Sequence, residues 1–262
     1  MRELTIDAQT PLRMASLGDS FTEGVGDEYA DGTARGWADR VAQGLADAHG
    51  TEVRFANLAI RGLLLEQIVT TQVEAALALD PAPTLVTFNG GGNDMLRPRM
   101  DAERMMGLIT EALDAFSTAG IRVVALAGPD PTGGLPLGQA IRRRGAELTD
   151  AMTALTAARG VDFIDIFHDS EIQRPQYWAE DRLHMGPDGH RRVADLVLRA
   201  FGRVETPHAL PAGEPPRKSV SDQLRYGRSH LLPWVGRRLR GRSSADGRIA
   251  KHQQWATLTP QR

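Results

Sequence analysis

The sequence predicts a doubly wound α/β sandwich, in which a parallel sheet carries helices on both faces. Short apolar runs alternate with longer stretches of helical periodicity, which is the pattern of parallel strands joined by crossover helices. Helix-ending residues close four of the longer stretches: Gly50, Asp80-Pro81, Gly120 and Gly160. These two observations indicate one parallel sheet with right-handed connections.

The predicted elements alternate along the chain. Five apolar runs of strand length are predicted strands: Leu12–Leu17, Val53–Leu58, Thr84–Phe88, Arg122–Leu126 and Asp162–Ile166. Helical periodicity predicts helices over residues 36–48, 64–79, 101–119, 138–159 and 187–202. Four crossover helices and a last helix therefore cover a five-stranded sheet.

Composition places the chain among globular proteins with a substantial core. It has 262 residues, of which 41% are hydrophobic and 24% charged. The absence of cysteine excludes disulfides, thiolate metal sites and a cysteine nucleophile. The segment Met1–Asp7 has no apolar stretch typical of a signal peptide, and no run approaches the ~20 apolar residues of a membrane span. We therefore expect a cytoplasmic protein.

Charge divides the chain into an acidic body and a basic tail. Residues 203–262 carry 12 Lys and Arg against 4 Asp and Glu, whereas the whole chain has 31 against 33. The stretch from Thr206 to Pro216 is a proline-rich linker that is too broken for a helix. We therefore expect one folded domain over residues 1–204, followed over residues 205–262 by a linker and a basic tail that is partly disordered or docked on the domain.

The tail mixes arginines with apolar side chains. Between Ser221 and Gly241, leucines and Trp234 lie among five arginines, as in helices that rest on anionic membranes. Attraction between tail and acidic body favours docking on the domain, so peripheral membrane contact is the lesser hypothesis and no nucleic acid partner is expected. From Arg242 onward the sequence predicts disorder.

A serine lies on a tight turn directly after the first predicted strand. The segment Gly18–Gly24 reads Gly-Asp-Ser-Phe-Thr-Glu-Gly, with Ser20 in third place. In open α/β sheets, sites form beyond the carboxyl ends of the strands. An isolated Gly-Asp-Ser is more often a turn whose Asp or Ser caps a helix. Ser20 is a candidate nucleophile only if other loops supply a base and an oxyanion site.

A candidate base follows the fifth predicted strand. A serine hydroxyl is a weak nucleophile, and His184 can act as its general base if a carboxylate fixes the imidazole tautomer. Asp181, three residues earlier, can reach the far ring nitrogen within one short turn. Alternatively, Asp181 and His184 are a surface pair. His190 is predicted to lie within the last helix, where a structural role is expected.

Two further loops offer donors for an oxyanion. Gly62 follows the second strand after Asn-Leu-Ala-Ile-Arg, and Asn93 follows the third within Gly-Gly-Gly-Asn-Asp. A glycine lets the backbone approach a substrate without a Cβ in the way. The N–H groups of Ser20 and Gly62 with the Asn93 amide make three donors, each typically worth about 3 kcal/mol. The glycine run alone is a weak phosphate-binding signal, because no P-loop lysine follows it.

These four blocks, in this order, resemble those of the SGNH (GDSL-type) hydrolase superfamily. The Ser, Gly, Asn and His of its name are here Ser20, Gly62, Asn93 and His184, and the resemblance covers about residues 11–202. It implies a flavodoxin-like three-layer α/β/α sandwich with a five-stranded parallel sheet. It also implies a Ser20-His184-Asp181 triad and an oxyanion hole from Ser20, Gly62 and Asn93.

The same resemblance implies a serine-dependent hydrolase of carboxylic esters, of the esterase or lipase type. A small-molecule ester is the expected substrate, and neither a metal nor another cofactor is needed. Phe21 replaces the family's usual leucine, which affects no catalytic position. The nucleophile elbow G-x-S-x-G of typical α/β-hydrolases is absent. Two alternatives stay open: an acyltransferase with the same triad, and a catalytically silent binding protein on a hydrolase scaffold.

Apolar residues near the predicted site are candidates for binding an acyl or alkyl group. The candidate substrate-binding residues are Met95, Leu96, Tyr177 and Trp178, with Leu135 and Leu137 nearby. Core packing explains them equally well. Arg61, Arg97 and Arg99 near the predicted mouth would attract an anionic leaving group, but solvated surface arginines are the simpler explanation.

Overall fold

The computed structural model describes residues 12–97, 100–134, 138–212 and 244–261. Its strands are β1 (Leu12–Leu17), β2 (Val53–Asn57), β3 (Leu85–Phe88), β4 (Arg122–Leu126), β5 (Asp162–Ile164) and β6 (His252–Leu258). They form one sheet in the order β5-β4-β3-β1-β2-β6. The first five strands run parallel, as predicted, and β6 runs antiparallel to β2.

Helices join the parallel strands. They are α1 (Ser20–Glu23), α2 (Gly36–His49), α3 (Leu65–Gln67), α4 (Val73–Leu77), α5 (Gly92–Met95), α6 (Ala102–Thr118), α7 (Gly138–Arg159) and α8 (Pro187–Ala200). The five predicted helices are confirmed, although the one over 64–79 is α3 and α4 joined by a π-helical turn at Ile68–Gln72. The short α1 and α5 were not predicted.

Two cores lie on opposite faces of the sheet. Residues of β1 contribute to both cores: Leu12 and Met14 face one core, whereas Ala15 and Leu17 face the other. Helices α2 and α8 cover the first core, and α3, α4, α6 and α7 cover the second. The sheet is therefore buried on both faces, which confirms the predicted three-layer α/β/α sandwich.

The last strand corrects the expectation that the chain is disordered from Arg242 onward. In β6, Leu258 pairs with Val53 and Ala256 with Phe55. The strand begins His-Gln-Gln, and much of it is exposed. A strand this exposed needs few apolar residues, so its sequence lacks the apolar run that marks the other five. The sheet therefore has six strands, of which the sequence predicts only five.

The linker runs back over the body without forming a helix or strand between residues 205 and 212. The His208 N–H donates to Asp195 at 2.8 Å, and the Leu210 N–H donates to the Tyr177 hydroxyl at 2.7 Å. The predictions for the basic stretch 221–241 lie outside the described residues. None of the helices that the structure describes is both long and apolar enough to cross a membrane.

Gln72 joins the residue after β1 to the helical layer that contains α3 and α4. Its side chain accepts a hydrogen bond from Gly18 N at 2.8 Å and donates one to Gly18 O at 2.9 Å. Gln72 closes the π-helical turn, a feature that is frequent at functional sites. The buried Gln72 amide thus makes with Gly18 the kind of paired hydrogen bonds that a neighbouring strand makes within the sheet.

His190 joins three elements from within α8. Its Nδ1 accepts from the Trp37 N–H at 3.2 Å, and its Nε2 donates to Val25 O at 3.1 Å. Burial lowers the pKa of His190 to about 4, although the hydrogen bond to Val25 opposes this shift. A proton on Nδ1 would remove the acceptor for Trp37, so the folded protein keeps this histidine neutral. These contacts support the structural role expected for His190.

We expect His190 to make the fold acid-sensitive between pH 6.5 and about 4. In this window the unfolded chain, with an ordinary histidine pKa of 6.5, binds a proton that the folded chain does not bind, so stability falls as the pH falls. The loss between pH 7 and 4.5 is about 2–3 kcal/mol. Urea unfolding at both pH values should show a smaller loss in His190→Gln. A loss as large as in the wild type would contradict this, and exposed His168→Gln is the control.

Candidate active site

Ser20 is the first residue of α1, directly beyond the end of β1. Asp19 caps the helix by accepting a hydrogen bond from Phe21 N at 3.1 Å. Gly24 ends the helix at φ +100°, and its N–H donates to Ser20 O at 3.1 Å. A Cβ on Gly18 would lie 2.4 Å from Thr22 Oγ1, so the turn needs glycine there. The Gly-Asp-Ser segment therefore forms a tight turn that presents Ser20 at a helix start.

Asp181 and His184 form the contact that their spacing predicts. His184 Nδ1 lies 2.6 Å from Asp181 Oδ2. The other carboxylate oxygen accepts from the backbone N–H groups of Leu183 and His184, both at 3.0 Å. Arg182 between them has φ +54°, a left-handed conformation that is uncommon for a side chain with a Cβ. The carboxylate thus orients the imidazole and closes the turn that bears it.

Asp181 stays ionised throughout the ordinary pH range. Burial raises its pKa, but the hydrogen bond and charge of His184, with the two backbone N–H groups, outweigh burial and lower that pKa to about 2. A permanent carboxylate on Nδ1 leaves Nε2 as the nitrogen that exchanges a proton with a substrate or nucleophile.

The loop that carries His184 packs against the loop that follows α1. A Cβ on Gly26 would lie 2.1 Å from Met185 O, so the two backbones touch. His184 is also close enough to Asp19 for its charge to lower the Asp19 pKa. Within the described residues, Ser20 Oγ and His184 share no hydrogen bond. Such bonds are often long in a free enzyme and tighten with substrate.

The predicted oxyanion donors come from loops that contact the Ser20 turn. Asn93 Nδ2 donates to Asp19 Oδ2 at 3.1 Å and to Leu63 O at 3.0 Å. Gly62 has φ +83°, which explains the glycine at that position. Its neighbour Arg61 is an ion-pair partner of Glu23, with Nη2 and Oε1 2.6 Å apart. The structure therefore joins the first three sequence blocks, and Arg61 is engaged with α1 rather than simply solvated.

Asp19 links two residues of the candidate site, whereas its sequence indicates only a turn. Burial, its largest influence, raises the pKa of this carboxyl to about 6, and the nearby charge of Asp94 acts in the same direction. Asp19 binds both the start of α1 and the side chain of Asn93. Its place between Gly18 and Ser20 was the available signal, but its link to Asn93 spans 74 positions in sequence.

The structure divides the four candidate substrate-binding residues. Tyr177 is fully buried, and its hydroxyl donates to Glu171 at 2.6 Å, so it belongs to the core and its assignment to the pocket is corrected. Met95 is also buried in a core. Leu96 and Trp178 keep part of their surface exposed, and Trp178 Nε1 donates to Ile172 O. Leu135, Leu137 and Arg99 lie outside the described residues.

Comparison with known families identifies the family of this chain. The family model described as the GDSL-like lipase/acylhydrolase family matches residues 16–192, more than half of the chain. The chain belongs to this family. The match begins in β1 and ends in α8, so it includes Ser20, Gly62, Asn93 and the Asp181–His184 pair. Strand β6 lies beyond the match.

Solved structures share the fold of this GDSL-like protein. The lipase Lip_vut3 from a goat rumen metagenome is 20% identical, with 74% of this chain and 98% of that chain covered and a TM-score of 0.60. A member of the lipolytic G-D-S-L family from Veillonella parvula is 20% identical, with coverages of 74% and 100% and a TM-score of 0.56.

A third solved structure is an esterase. The psychrotrophic EstA from Pseudoalteromonas sp., inhibited by monoethylphosphonate, is 18% identical, with coverages of 73% and 97% and a TM-score of 0.57. At these identities the likeness concerns the fold. No match was found among curated proteins. Among the residues that the structure describes, no three His, Asp or Glu side chains are grouped to hold a metal ion.

Proposed function

We propose that this GDSL-like hydrolase cleaves carboxylic esters of small molecules through an acyl-enzyme on Ser20. One observation carries the proposal: the 2.6 Å Asp181–His184 pair lies on a loop that touches the loop following Ser20. Such a pair beside a serine is the arrangement that acyl transfer through a serine needs. Membership of a lipase and acylhydrolase family supports the same reaction class.

In the first step, Ser20 Oγ attacks the ester carbonyl carbon while His184 Nε2 takes the hydroxyl proton. Asp181 holds Nδ1 and stabilises the imidazolium that forms, because its carboxylate is ionised at working pH. The C–O bond to the alcohol then breaks, and His184 gives its proton to the departing oxygen. The product of this half-reaction is an ester between the acyl group and Ser20.

In the second step, water replaces the alcohol. His184 takes a proton from the water as it attacks the acyl carbonyl, and it returns that proton to Ser20 Oγ as the acyl bond breaks. The carboxylic acid leaves, and the enzyme is restored. Both steps pass through a tetrahedral intermediate whose oxygen carries a negative charge, so both need the same donors.

The oxyanion site requires a small rearrangement of Asn93. In the structure its amide nitrogen donates to Asp19 and to Leu63. A nitrogen with two protons must share or exchange one of them to serve an oxyanion. The N–H groups of Ser20 and Gly62 complete the proposed hole, and Asp19 keeps the Asn93 amide at its edge until the intermediate forms.

We expect Asn93→Ala to lower kcat by about 10²–10³-fold with a much smaller change in KM. The reason is that the donor acts on the charged intermediate rather than on the neutral ester. Steady-state kinetics on one ester measure the split. A change confined to KM would show that Asn93 only binds substrate.

The proposed function is tested by hydrolysis of p-nitrophenyl esters from acetate to palmitate. Release that depends on Ser20 would support the ester hydrolase, and the best chain length would report the depth of the acyl site. A folded protein that releases no p-nitrophenol from any of these esters would contradict the proposal for simple esters. Modification by a monoethylphosphonate reagent, with the adduct mapped to one peptide, provides a second readout.

A further inference from the structure

Lys251 extends from the start of β6 back to the turn that carries Ser20. Its ammonium group donates to three backbone carbonyls, those of Glu23 at 2.9 Å and of Ala34 and Arg35 at 2.8 Å. It also forms an ion pair with Asp39 Oδ2 at 2.7 Å. Only 9% of the Lys251 side chain and 6% of the Asp39 side chain are exposed, so water competes little for these contacts.

The carbonyls belong to the two ends of one loop. Glu23 ends α1, and Arg35 precedes α2, so residues 24–35 form an excursion between the two helices. The two ends of the loop, which form its neck, nearly touch, because a Cβ on Gly36 would lie 2.2 Å from the Gly24 Cα. Lys251, which comes from the edge of the sheet, therefore binds both ends of this loop.

A second contact joins the same network to α1. Asn57 Nδ2 donates to Thr22 O at 3.0 Å and lies 3.4 Å from Asp39 Oδ2. Carbonyls at the end of a helix lack partners within the helix, and in α1 those of Thr22 and Glu23 find them in Asn57 and Lys251. Because α1 has only four residues, fixing its last carbonyls also fixes Ser20 at its start.

We propose that Lys251 is a positioning residue for Ser20: the C-terminal segment pins the end of α1 and the neck of the following loop. The proposal rests on the proposed function, since it concerns the placement of the Ser20 hydroxyl. The backbone next to Lys251 is held locally, because His252 directly after it pairs with Asn57 of β2. This device comes from residues beyond the family match at 16–192.

The test is Lys251→Met in the full chain, which keeps an unbranched side chain as long as the lysine carbon chain and removes the ammonium group. We expect kcat on the best p-nitrophenyl ester to fall by about 10–100-fold, with KM changed far less, because a small displacement of a nucleophile affects the chemical step. Hydrogen exchange of the amides in residues 18–26 should become faster.

Two further variants separate positioning from stability. Trp255→Ala loses the Nε1 bond to Pro81 O and the packing of β6 on its core, but it does not touch α1. It should lower the melting temperature and leave kcat unchanged below that temperature. Adding Asp39→Asn to Lys251→Met removes the carboxylate that would be left buried without its partner, so it should restore folding without restoring kcat. Ile249→Ser, at a side chain that is 80% exposed, is the neutral control.

The outcomes distinguish the inference from the proposed function. If the wild type turns over esters through Ser20 and Lys251→Met keeps its kcat, the inference alone is wrong. An equal loss of kcat in Trp255→Ala would likewise overturn it, because stability would then explain both. If turnover in the wild type is unchanged by Ser20→Ala, the proposed function fails and the inference falls with it.

Discussion

Ser20→Ala is expected to lower kcat by about 10⁴–10⁶-fold and to leave the fold intact. Loss of the nucleophile removes the acyl-enzyme route, and what remains is binding and oxyanion stabilisation. The fold should survive because Ser20 Oγ makes no hydrogen bond to any residue that the structure describes. Steady-state kinetics and circular dichroism measured on the same preparation test both statements.

The matched control for this variant is Thr22→Val in the same helix. Thr22 is buried, and its Oγ1 has no hydrogen-bond partner among the described residues, so this change removes a hydroxyl of α1 without removing the nucleophile. Thr22→Val should keep most of the activity. Ester hydrolysis at the wild-type rate by Ser20→Ala would assign the nucleophile to another residue.

Asp181→Asn is expected to lower kcat by about 10⁴-fold. An amide in place of the carboxylate can donate its NH₂ group to Nδ1, which favours the tautomer with the proton on Nε2. In that tautomer Nε2 cannot accept the serine proton. It also removes the charge that stabilises the imidazolium. The measurement is kcat across pH 6–9, and the deficit should persist over the whole range because the Asp181 pKa of about 2 lies far below it.

The chain contains its own control for this change. Asp165 and His168 have the same spacing and a similar contact, 2.8 Å between Oδ2 and Nδ1, but both are exposed. Asp165→Asn should therefore leave kcat unaltered. An equal effect of the two substitutions, or none from Asp181→Asn, would remove Asp181 from the mechanism.

The two pairs also show what sequence could and could not reveal about the site. Spacing alone does not separate Asp181–His184 from Asp165–His168. Position relative to the last predicted helix does, because His184 lies in the loop that leads into that helix, whereas Asp165 lies within the predicted strand Asp162–Ile166. Ser20, Gly62 and Asn93 were selected because they follow the carboxyl ends of predicted strands, and the structure places their three loops in contact.

Contacts over long sequence separations were beyond that reasoning. Asp19 meets Asn93 across 74 positions, and Lys251 meets Asp39 across 212. Nothing in the local sequence of a lysine indicates that it will be buried, since lysines are almost always exposed. Tyr177 shows the converse case: its aromatic side chain beside the site suggested a pocket, but its buried hydroxyl has partners in Glu171 and Leu210.

The fold was predictable to the extent that burial marks its elements. The strands β1 to β5 lie inside the sheet or under helices, and each needs an apolar run that the sequence displays. Strand β6 lies at an edge and is held mainly by backbone pairing with β2. Backbone hydrogen bonds leave little trace in the side-chain pattern, so this strand escaped prediction.

The short turn from Asp181 to His184 makes the carboxylate and the imidazole a single mechanical unit. One carboxylate oxygen binds the ring and the other binds the backbone of the turn, so their mutual geometry is set locally. In a triad whose carboxylate and histidine come from separate elements, the carboxylate–histidine and histidine–serine distances fluctuate independently. Here one distance remains, the gap between the His184 loop and the Ser20 turn, and the alignment of the proposed triad depends on how closely those two loops approach each other.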